Sequence, residues 1–441
     1  MTGWTYHPEL LAVPVPRYTS YPTAAEFSEA IAREEMEASL AAVATDEIVS
    51  LYVHIPYCHE ICFYCGCNTG AANRPNRLSS YLDTLHAEVD LVANGLQGRG
   101  QVRRISFGGG SPNAIAPDQF AALLARLRWA FDAGDALLSI ELDPRSLGRS
   151  WFNAIAAAGF ERASLGVKTF DAKVQRAIGR IQPEALIRGA VDQLRAAGVR
   201  SINFDLMYGL PYQGLAELEA TLATAIEMRP DRIALFGYAH VPHLIPRQRQ
   251  IDGSALPDAE QRFGQAEHGH RLLIAAGYEP IGFDHYALPG DPLAIAAEKG
   301  ILKRNFQGFT DDPADILLGL GASAISQFGD LIVQNEKNAG RYKVRISSGL
   351  LAADRGIVRT GDDQQRGRII EQLLCDGKAG IGGLIEPGLI ERLRPFLDSG
   401  LATLESGRLR LPDYGRPYAR VIASLFDLYR QPAARRFSSA I

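Results

Sequence analysis

Tyr52-Val-His-Ile-Pro-Tyr-Cys58-His-Glu-Ile-Cys62-Phe-Tyr-Cys65-Gly-Cys67-Asn-Thr69 holds four of the chain's five cysteines, three of them spaced C-x3-C-x2-C. Thiols packed this densely form disulfides only in an oxidising compartment, and nothing in the chain points to one. Structural zinc takes two C-x2-C pairs, or one pair with two histidines at knuckle spacing, and the downstream partners are missing here. An iron–sulfur cluster takes cysteines at short, irregular intervals on a wrapping loop. With three cysteines, a four-iron cube keeps one iron free of protein ligands, and an open position on a metal centre is where chemistry happens. The residues favour a cluster held by Cys58, Cys62 and Cys65, with zinc or plain free thiols as the alternative.

Outward from this loop the chain alternates. Short β-branched or apolar runs at 48–55, 102–107, 137–142, 163–167, 201–206 and 233–238 are mostly separated by helical patterns at 78–93, 117–130, 183–197 and 217–227. Continuous apolar strands between amphipathic helices predict parallel strands buried on both faces. Six such units make an α/β partial barrel or an open wound sheet, which spacing alone does not separate. In either form functional groups gather at the C-terminal ends of the strands, where the cysteine loop lies. Residues 240–330 read as an extension of the sheet layer, with a helix near 260–276 and apolar runs at 279–283 and 319–325. From about 331 the alternation is expected to stop, leaving helices at 366–374, 387–397 and 418–429 and a small hairpin at 404–411. At the other end, Tyr18 and Tyr21 stand among Pro14, Pro16 and Pro22, as in an arm lying on another surface, before a helix from Ser28, a plausible N-cap, to Ala42. The expected organisation is an arm and helix over 1–45, a barrel with its extension over 46–330, and a mainly helical C-terminal domain over 331–441.

The composition of the 441 residues, 46% apolar and 22% charged, is that of a globular protein with two or three domains. A net charge of -4 gives no electrostatic case for nucleic acid or membrane partners. The N-terminus lacks the basic and apolar regions of a signal peptide, and no apolar run approaches the length of a membrane span. The expected location is a reducing cytoplasm.

Further residues carry chemistry at strand ends. The second strand ends in Phe107-Gly-Gly109-Gly110-Ser111-Pro, whose glycines let backbone amides approach a charged ligand, although a tight strand-to-helix turn gives the same letters. The third ends in Glu141-Leu-Asp143-Pro: a carboxylate at this edge can accept from a ribose diol, while a helix N-cap suits Asp143 better than Glu141. The fifth contains Asp205 among apolar residues, where an unpaired carboxylate is costly, so it has a structural or a ligand partner. Arg180 has no obvious local acid and on its own reads as solvated. His54 on the first strand reads as a core histidine, and Cys375, in an apolar helix, as a core cysteine.

The cysteine spacing after an apolar run resembles the radical S-adenosyl-L-methionine (SAM) superfamily. The fuller wording, Leu51-Tyr-Val-His-Ile-Pro-Tyr-Cys with its Cys65-Gly-Cys67 ending, resembles oxygen-independent coproporphyrinogen III dehydrogenase of haem biosynthesis. The resemblance extends over nearly the whole chain through Arg17-Tyr-Thr-Ser-Tyr-Pro-Thr, Asp205 to Pro211, Tyr238-Ala-His, Arg304-Asn-Phe-Gln-Gly-Phe, Gly321-Ala-Ser-Ala-Ile-Ser and the terminal Arg436-Phe-Ser. It implies a partial TIM-type (β/α)6 radical SAM barrel with an N-terminal arm and a mainly helical C-terminal domain. It also implies a 4Fe-4S cluster on Cys58, Cys62 and Cys65 and two SAM molecules. Tyr52, Tyr64, Gly109, Gly110, Ser111, Glu141, Lys168, Arg180, Asp205, Ala239 and Ile325 match the family's SAM-site positions, Arg180 and Asp205 those of the second SAM. Tyr52, His54, Phe306 and Gln307 match positions near the reacting centre, and Cys67 is not implied as an iron ligand.

The implied reaction converts two propionate arms of coproporphyrinogen III to vinyls, giving protoporphyrinogen IX, through a 5'-deoxyadenosyl radical made from SAM by the reduced cluster. A monomer served by an electron donor such as flavodoxin or ferredoxin is implied too. Three departures stand out. Lys168 replaces a usual glutamine at the second SAM, Ser111 replaces a threonine, and Leu374-Cys-Asp-Gly departs from the family's Cys-Asn-Phe wording. The related haem chaperones lack the N-terminal arm and usually carry Asp-Phe after the third cysteine, so Gly66-Cys67 and the arm favour the enzyme. A radical SAM methyltransferase or cyclopropanase on the same scaffold is the other rival.

Overall fold

The computed structural model describes residues 3–430, apart from the side chain of Pro75; Arg436-Phe-Ser lies outside the described residues. Six strands follow the expected runs: β1 (Ile48–Ile55), β2 (Gln101–Gly109), β3 (Leu137–Leu142), β4 (Arg162–Lys168), β5 (Ser201–Tyr208) and β6 (Arg232–Gly237). Six more join the same sheet: β7 (Glu279–Ile281), β8 (His285–Ala287), β9 (Ile316–Leu320), β10 (Ile325–Gln327), β11 (Leu331–Asn335) and β12 (Ala353–Val358). Their order across the sheet is β12-β11-β10-β9-β1-β2-β3-β4-β5-β6-β8-β7. From β9 through β1 to β6 every neighbouring pair is parallel, and both flanks are antiparallel.

This order separates the two architectures that spacing left open. A doubly wound sheet reverses its strand order about the first strand, whereas here β1 to β6 are laid down on one side in sequence. With right-handed crossovers, a single winding sense puts the helices on one face. The fold is therefore the expected partial barrel, open between its antiparallel flanks.

Alternation along each strand divides core from lumen. On β1, Leu51, Val53 and Ile55 are buried in the main core with Leu82, Leu85 and Val89 of the helix Pro75–Leu96. Residues of the other parity, Tyr52, Ser106, Ser139, Glu141, Ser164, Asn203 and Asp205, line a lumen of about 330 Å³. Arginines at the first turns of three strands also enter it, and each is neutralised. Arg162 grips Asp311 with both ends of its fork at 2.6 and 2.8 Å, Arg104 bonds the same carboxylate at 3.0 Å, and Arg232 bonds Asp291 at 2.7 Å. Burial would raise Asp311, but the hydrogen bonds from Arg162 and Arg104 outweigh it and hold the group far below the usual carboxylate range.

The strand pattern does not stop at 331 as expected: β11 and β12 extend the sheet to Val358. Both strands are short and pair antiparallel, and the helix between them, Ala339–Ser347, makes no crossover to a parallel strand, so no βα alternation marked them. Ser28 caps no helix; its N–H and C=O pair with Gly356 of β12, and the helix begins only at Arg33. The expected helix at 418–429 is instead a run of short turns, with an α-helical part at Ala419–Ala423. The hairpin at 404–411 is present as Thr403–Glu405 with Arg408–Arg410, joined by Lys378–Gly380. The arm packs into a second core, where Leu11, Val15, Tyr18 and Tyr21 meet Leu373, Leu393, Phe396 and Phe426. The Tyr18 hydroxyl donates to Asp427 at 2.9 Å, and the Tyr21 hydroxyl accepts from the Leu428 amide at 3.0 Å.

Glu88 fastens the first helix of the barrel to the region after β9. Fully buried, it accepts from the Gly321 amide at 2.6 Å, Asn335 Nδ2 at 2.7 Å and the Tyr342 hydroxyl at 2.7 Å. Burial pushes its carboxyl up to about 7 despite these three donors. Glu88→Ala strands those donors in the core, and at roughly 1–3 kcal/mol per unsatisfied buried group the expected loss is about 3 kcal/mol or more. A shift of the urea midpoint at unchanged slope measures it.

Candidate active site

β1 runs directly into the cysteine loop, and Tyr57–Cys58 pairs in parallel with Gly70–Ala71, so both ends of the loop are pinned. The end of β2 is stitched to the same place: the Gly110 amide donates to Ile55 O at 2.9 Å and the Ser111 amide to Tyr57 O at 2.8 Å. Glycine is required there. A Cβ on Gly110 would lie 2.7 Å from the Tyr57 amide nitrogen, and one on Gly109, at φ +109°, would lie 2.5 Å from the His54 ring.

Cys62 is buried, Cys58 and Cys65 are half-buried, and Cys67 is exposed; none is in a disulfide. Two guanidiniums reach the Cys62 sulfur, Arg180 at 3.4 Å and Arg145 at 3.5 Å. Asp143 holds both, with Arg145 at 2.7 Å and Arg180 at 3.1 Å, and it caps the short turn Pro144–Ser146 through the Arg145 amide. Arg180 is therefore a buried ion-pair partner, not the solvated side chain expected from its surroundings in sequence. Arg145 was not singled out by sequence; its only signal was its place two residues after an acid at a strand end.

Burial and the neighbouring Cys65, Asp143 and Cys62 push the Cys58 thiol up to about 12. Cys67 donates to the Cys65 sulfur, its amide at 3.4 Å, which lowers the Cys65 thiol. Three cysteines on one loop, one of them reached by two guanidiniums, form a donor set for a cationic centre. Among the described residues no three such side chains converge on a single ion. Three thiols on one loop leave one iron of a cube open and fall short of the four ligands of structural zinc, so the set fits a cluster better than zinc.

Below the loop, the Tyr52 hydroxyl meets His54 Nδ1 at 3.1 Å and Ser323 Oγ meets His54 Nε2 at 3.4 Å. Burial lowers His54 to about 4, so its ring is neutral at ordinary pH. Glu141 accepts from the Gly109 amide at 3.2 Å, and burial, then the charge of Asp205, raises it to about 7. Asp205 has structural partners: Lys168 Nζ at 3.0 Å, Asn203 Nδ2 at 2.8 Å and Ser164 Oγ at 3.4 Å. Lys168 adopts a left-handed φ of +71° at a break in the β4–β5 register, a position an L side chain occupies at a cost.

The other expected residues divide. Gln307 lines the lumen at the tip of the hairpin Lys303–Asn305/Gly308–Thr310, with Phe306 half-buried beside it. Tyr64 packs against an apolar group containing Val174 and Ile178 and interacts with Cys62. Ile325 opens β10, and the Ala239 carbonyl, beyond β6, accepts from Gln248 at 3.1 Å. Ser111 is 3% exposed, its amide is bonded to Tyr57 and its hydroxyl donates to Asn113 at 2.7 Å, so its side chain builds the turn. Cys375 is buried in its helix, as expected of a core cysteine.

The radical SAM superfamily model matches residues 52–225. Over 437 residues the chain is 41% identical to an oxygen-independent coproporphyrinogen III oxidase of Bradyrhizobium diazoefficiens, with 97% of each chain covered. It is 39% identical over 443 residues to one of Pseudomonas aeruginosa, covering 97% of this chain and 96% of that one. The solved coproporphyrinogen III oxidase from Escherichia coli, described as a radical SAM enzyme, superposes with a TM-score of 0.90 at 35% identity, over 97% of this chain and 100% of that chain.

Asp143→Ala leaves Arg145 and Arg180 buried without their shared counter-ion. Loss of one partner of such a pair costs about 3–5 kcal/mol, read as a lowered thermal midpoint of the metal-free chain. Iron and sulfide content after anaerobic reconstitution is expected to fall with it.

Proposed function

The chain belongs to the oxygen-independent coproporphyrinogen III oxidases, radical SAM enzymes of haem biosynthesis, and on that premise we propose how its own residues divide the work. The 4Fe-4S cluster and SAM, when bound, supply an electron and then an organic radical that takes hydrogen from a propionate arm, which goes on to lose carbon dioxide. Cys58, Cys62 and Cys65 hold the cluster. Arg145 and Arg180 balance the thiolate charge through contacts with Cys62, and Asp143 keeps both guanidiniums in place.

One observation carries the assignment of the SAM site. Of the three carboxylates lining the lumen, Asp205 is paired with Lys168 and Asp312 with Arg104, whereas among the described residues Glu141 has the Gly109 amide as its hydrogen-bond partner. A carboxylate that faces the lumen without an ion-pair partner attracts a cation, and the sulfonium and ribose of SAM offer a cation and a diol. Glu141 and the backbone at Gly109 and Gly110 are therefore the residues that hold SAM beside the cysteine loop. Tyr52 and His54 form the inner wall below it, with neutral His54 kept in place by Ser323. Gln307 and Phe306 close the lumen over the substrate arm and exclude water. The outer turn of the loop, with His59, Glu60, Gly66 and Cys67 exposed, is where a small electron carrier such as flavodoxin or ferredoxin would approach.

The second SAM implied by the resemblance meets a different surface. Its two charged contacts are engaged within the chain, Asp205 by Lys168 and Arg180 by Asp143. The reading is that one SAM binds per cluster, and that Lys168→Gln, by releasing Asp205, raises the number bound. Equilibrium dialysis of labelled SAM against reconstituted protein counts both.

Anaerobic incubation of the reconstituted protein with coproporphyrinogen III, SAM and a reductant is expected to yield protoporphyrinogen IX, and Cys62→Ala to abolish it. Deoxyadenosine without porphyrinogen turnover would sink the reading. Glu141 also fixes a pH dependence. Its pKa is raised, to about 7, so the carboxylate fraction grows as pH rises from 6 to 8. SAM affinity should increase over that interval and become flat in Glu141→Gln, by titration calorimetry.

A further inference from the structure

A second cavity, of about 60 Å³, lies beside the lumen where the arm, the barrel and the C-terminal region meet. Adjacent residues separate the two spaces: Phe236 and His285 line the lumen, while Gly237 and Asp284 line the smaller cavity. Three guanidiniums enter it from segments far apart in sequence: Arg17 from the arm, Arg262 from the helix Ala259–Ala275, and Arg420 from the helix Ala419–Ala423. Arg17 stacks on Phe236 at 5.7 Å and donates to Gly237 O at 3.2 Å, and Arg262 donates to Tyr238 O at 2.7 Å. Arg304 stands next to the group, 5.0 Å from the Phe283 ring that Arg420 approaches at 5.5 Å.

The carboxylate lining this cavity is Asp284, which His285 already engages at 2.7 Å. Among the described residues Arg17 and Arg262 hydrogen-bond backbone carbonyls, and Arg262, partly desolvated, is repelled by Arg17 at a cost that an anion between them would relieve. Burial and then Arg17 push the Arg420 guanidinium down to about 10, a sign of that strain. Two of the cluster's nitrogens, Arg262 Nε and Arg304 Nη1, are buried with no hydrogen-bond partner. Their forks are suited to the bidentate grip of a carboxylate. The cavity has space for the end of a side arm, not for a macrocycle.

We infer that this cavity, walled by Arg17, Arg262 and Arg420, binds a propionate carboxylate of the tetrapyrrole while the reacting arm occupies the lumen beyond Phe236. The inference rests on the functional reading above, because the substrate it invokes is coproporphyrinogen III. It gives the arm motif Arg17-Tyr-Thr-Ser-Tyr-Pro-Thr a purpose: its tyrosines seat the arm in the second core and its arginine faces the substrate. It also explains why the arm and the C-terminal region share one core, since both deliver a cation to the same point.

The test is binding of coproporphyrin III, the stable oxidised tetracarboxylate, to the reconstituted holoenzyme, followed by fluorescence. Loss of one charge-assisted bidentate contact is expected to raise Kd about tenfold or more in Arg262→Gln and in Arg17→Gln. Arg262→Lys, which keeps the charge without the fork, recovers part of the loss. The tetramethyl ester, which carries no carboxylate charge, binds parent and variants alike. Cluster absorbance confirms that each variant is folded and loaded. Unchanged Kd for coproporphyrin III in both glutamine variants overturns the inference, as does an equal loss for acid and ester, which would mark a packing defect. A parent enzyme that forms no protoporphyrinogen IX overturns the functional reading and this inference with it. A parent that turns over while its variants bind normally overturns the inference alone.

Discussion

Charge enclosed by a barrel must be balanced within it, and that constraint orders this molecule from one end of the lumen to the other. At the N-terminal ends of the strands, Arg104, Arg162 and Arg232 point inward and would be costly alone; Asp311, Asp312 and Asp291 neutralise them. The plug is internal, so those arginines are not available to a substrate. At the C-terminal ends the balance is deliberately incomplete. Asp143 is shared between two guanidiniums that also reach a cysteine sulfur, Asp205 is taken by Lys168, and Glu141 is left facing the lumen with an amide for company. The imbalance lies beside the cysteine loop.

How much of this was legible in the sequence depended on the range of the signal. Parallel strands declare themselves through apolar runs buried on both faces, and β1 to β6 stood where those runs lay. The winding sense was not legible, because it is a relation between strands that no local pattern carries. β11 and β12 were missed for a related reason: they pair antiparallel, with Ala339–Ser347 between them, and that helix packs on Pro75–Leu96 through the Glu88 network instead of marking a crossover. The expected helix at 418–429 forms only as Ala419–Ala423, followed by the short turn Ser424–Phe426.

The site was legible as a set of residue types and much less as a set of partners. The cysteines follow the end of β1 and Glu141 stands near the end of β3, whereas Asp205 lies inside β5, facing the lumen. Arg180, taken without the resemblance, read as solvated because its acid, Asp143, is 37 residues away and meets it only after β3 and β4 pair. The inward arginines could have been found by parity: Arg104 shares a face with Ser106, and Arg162 with Ser164, and both serines line the lumen. Alternation places a residue on a face, but its counter-ion comes from another segment, here the loop holding Asp311, which no strand pattern announces.

The glycines at the end of β2 show why one motif can satisfy two readings at once. Gly109 and Gly110 are forced by packing, since any side chain would strike His54 or the backbone of Tyr57. That same close approach brings the mouth of β2 against the start of the cysteine loop and turns the Gly109 amide toward Glu141. The tight turn and the ligand-facing backbone are therefore one feature. A substitution that spoiled the packing would also displace the amide, so turnover alone cannot separate the two. Glu141→Gln, which keeps the side chain's size against Gly108 while removing the charge, separates them: the fold keeps its stitch between Ile55 and Gly110 while the lumen loses its uncompensated carboxylate.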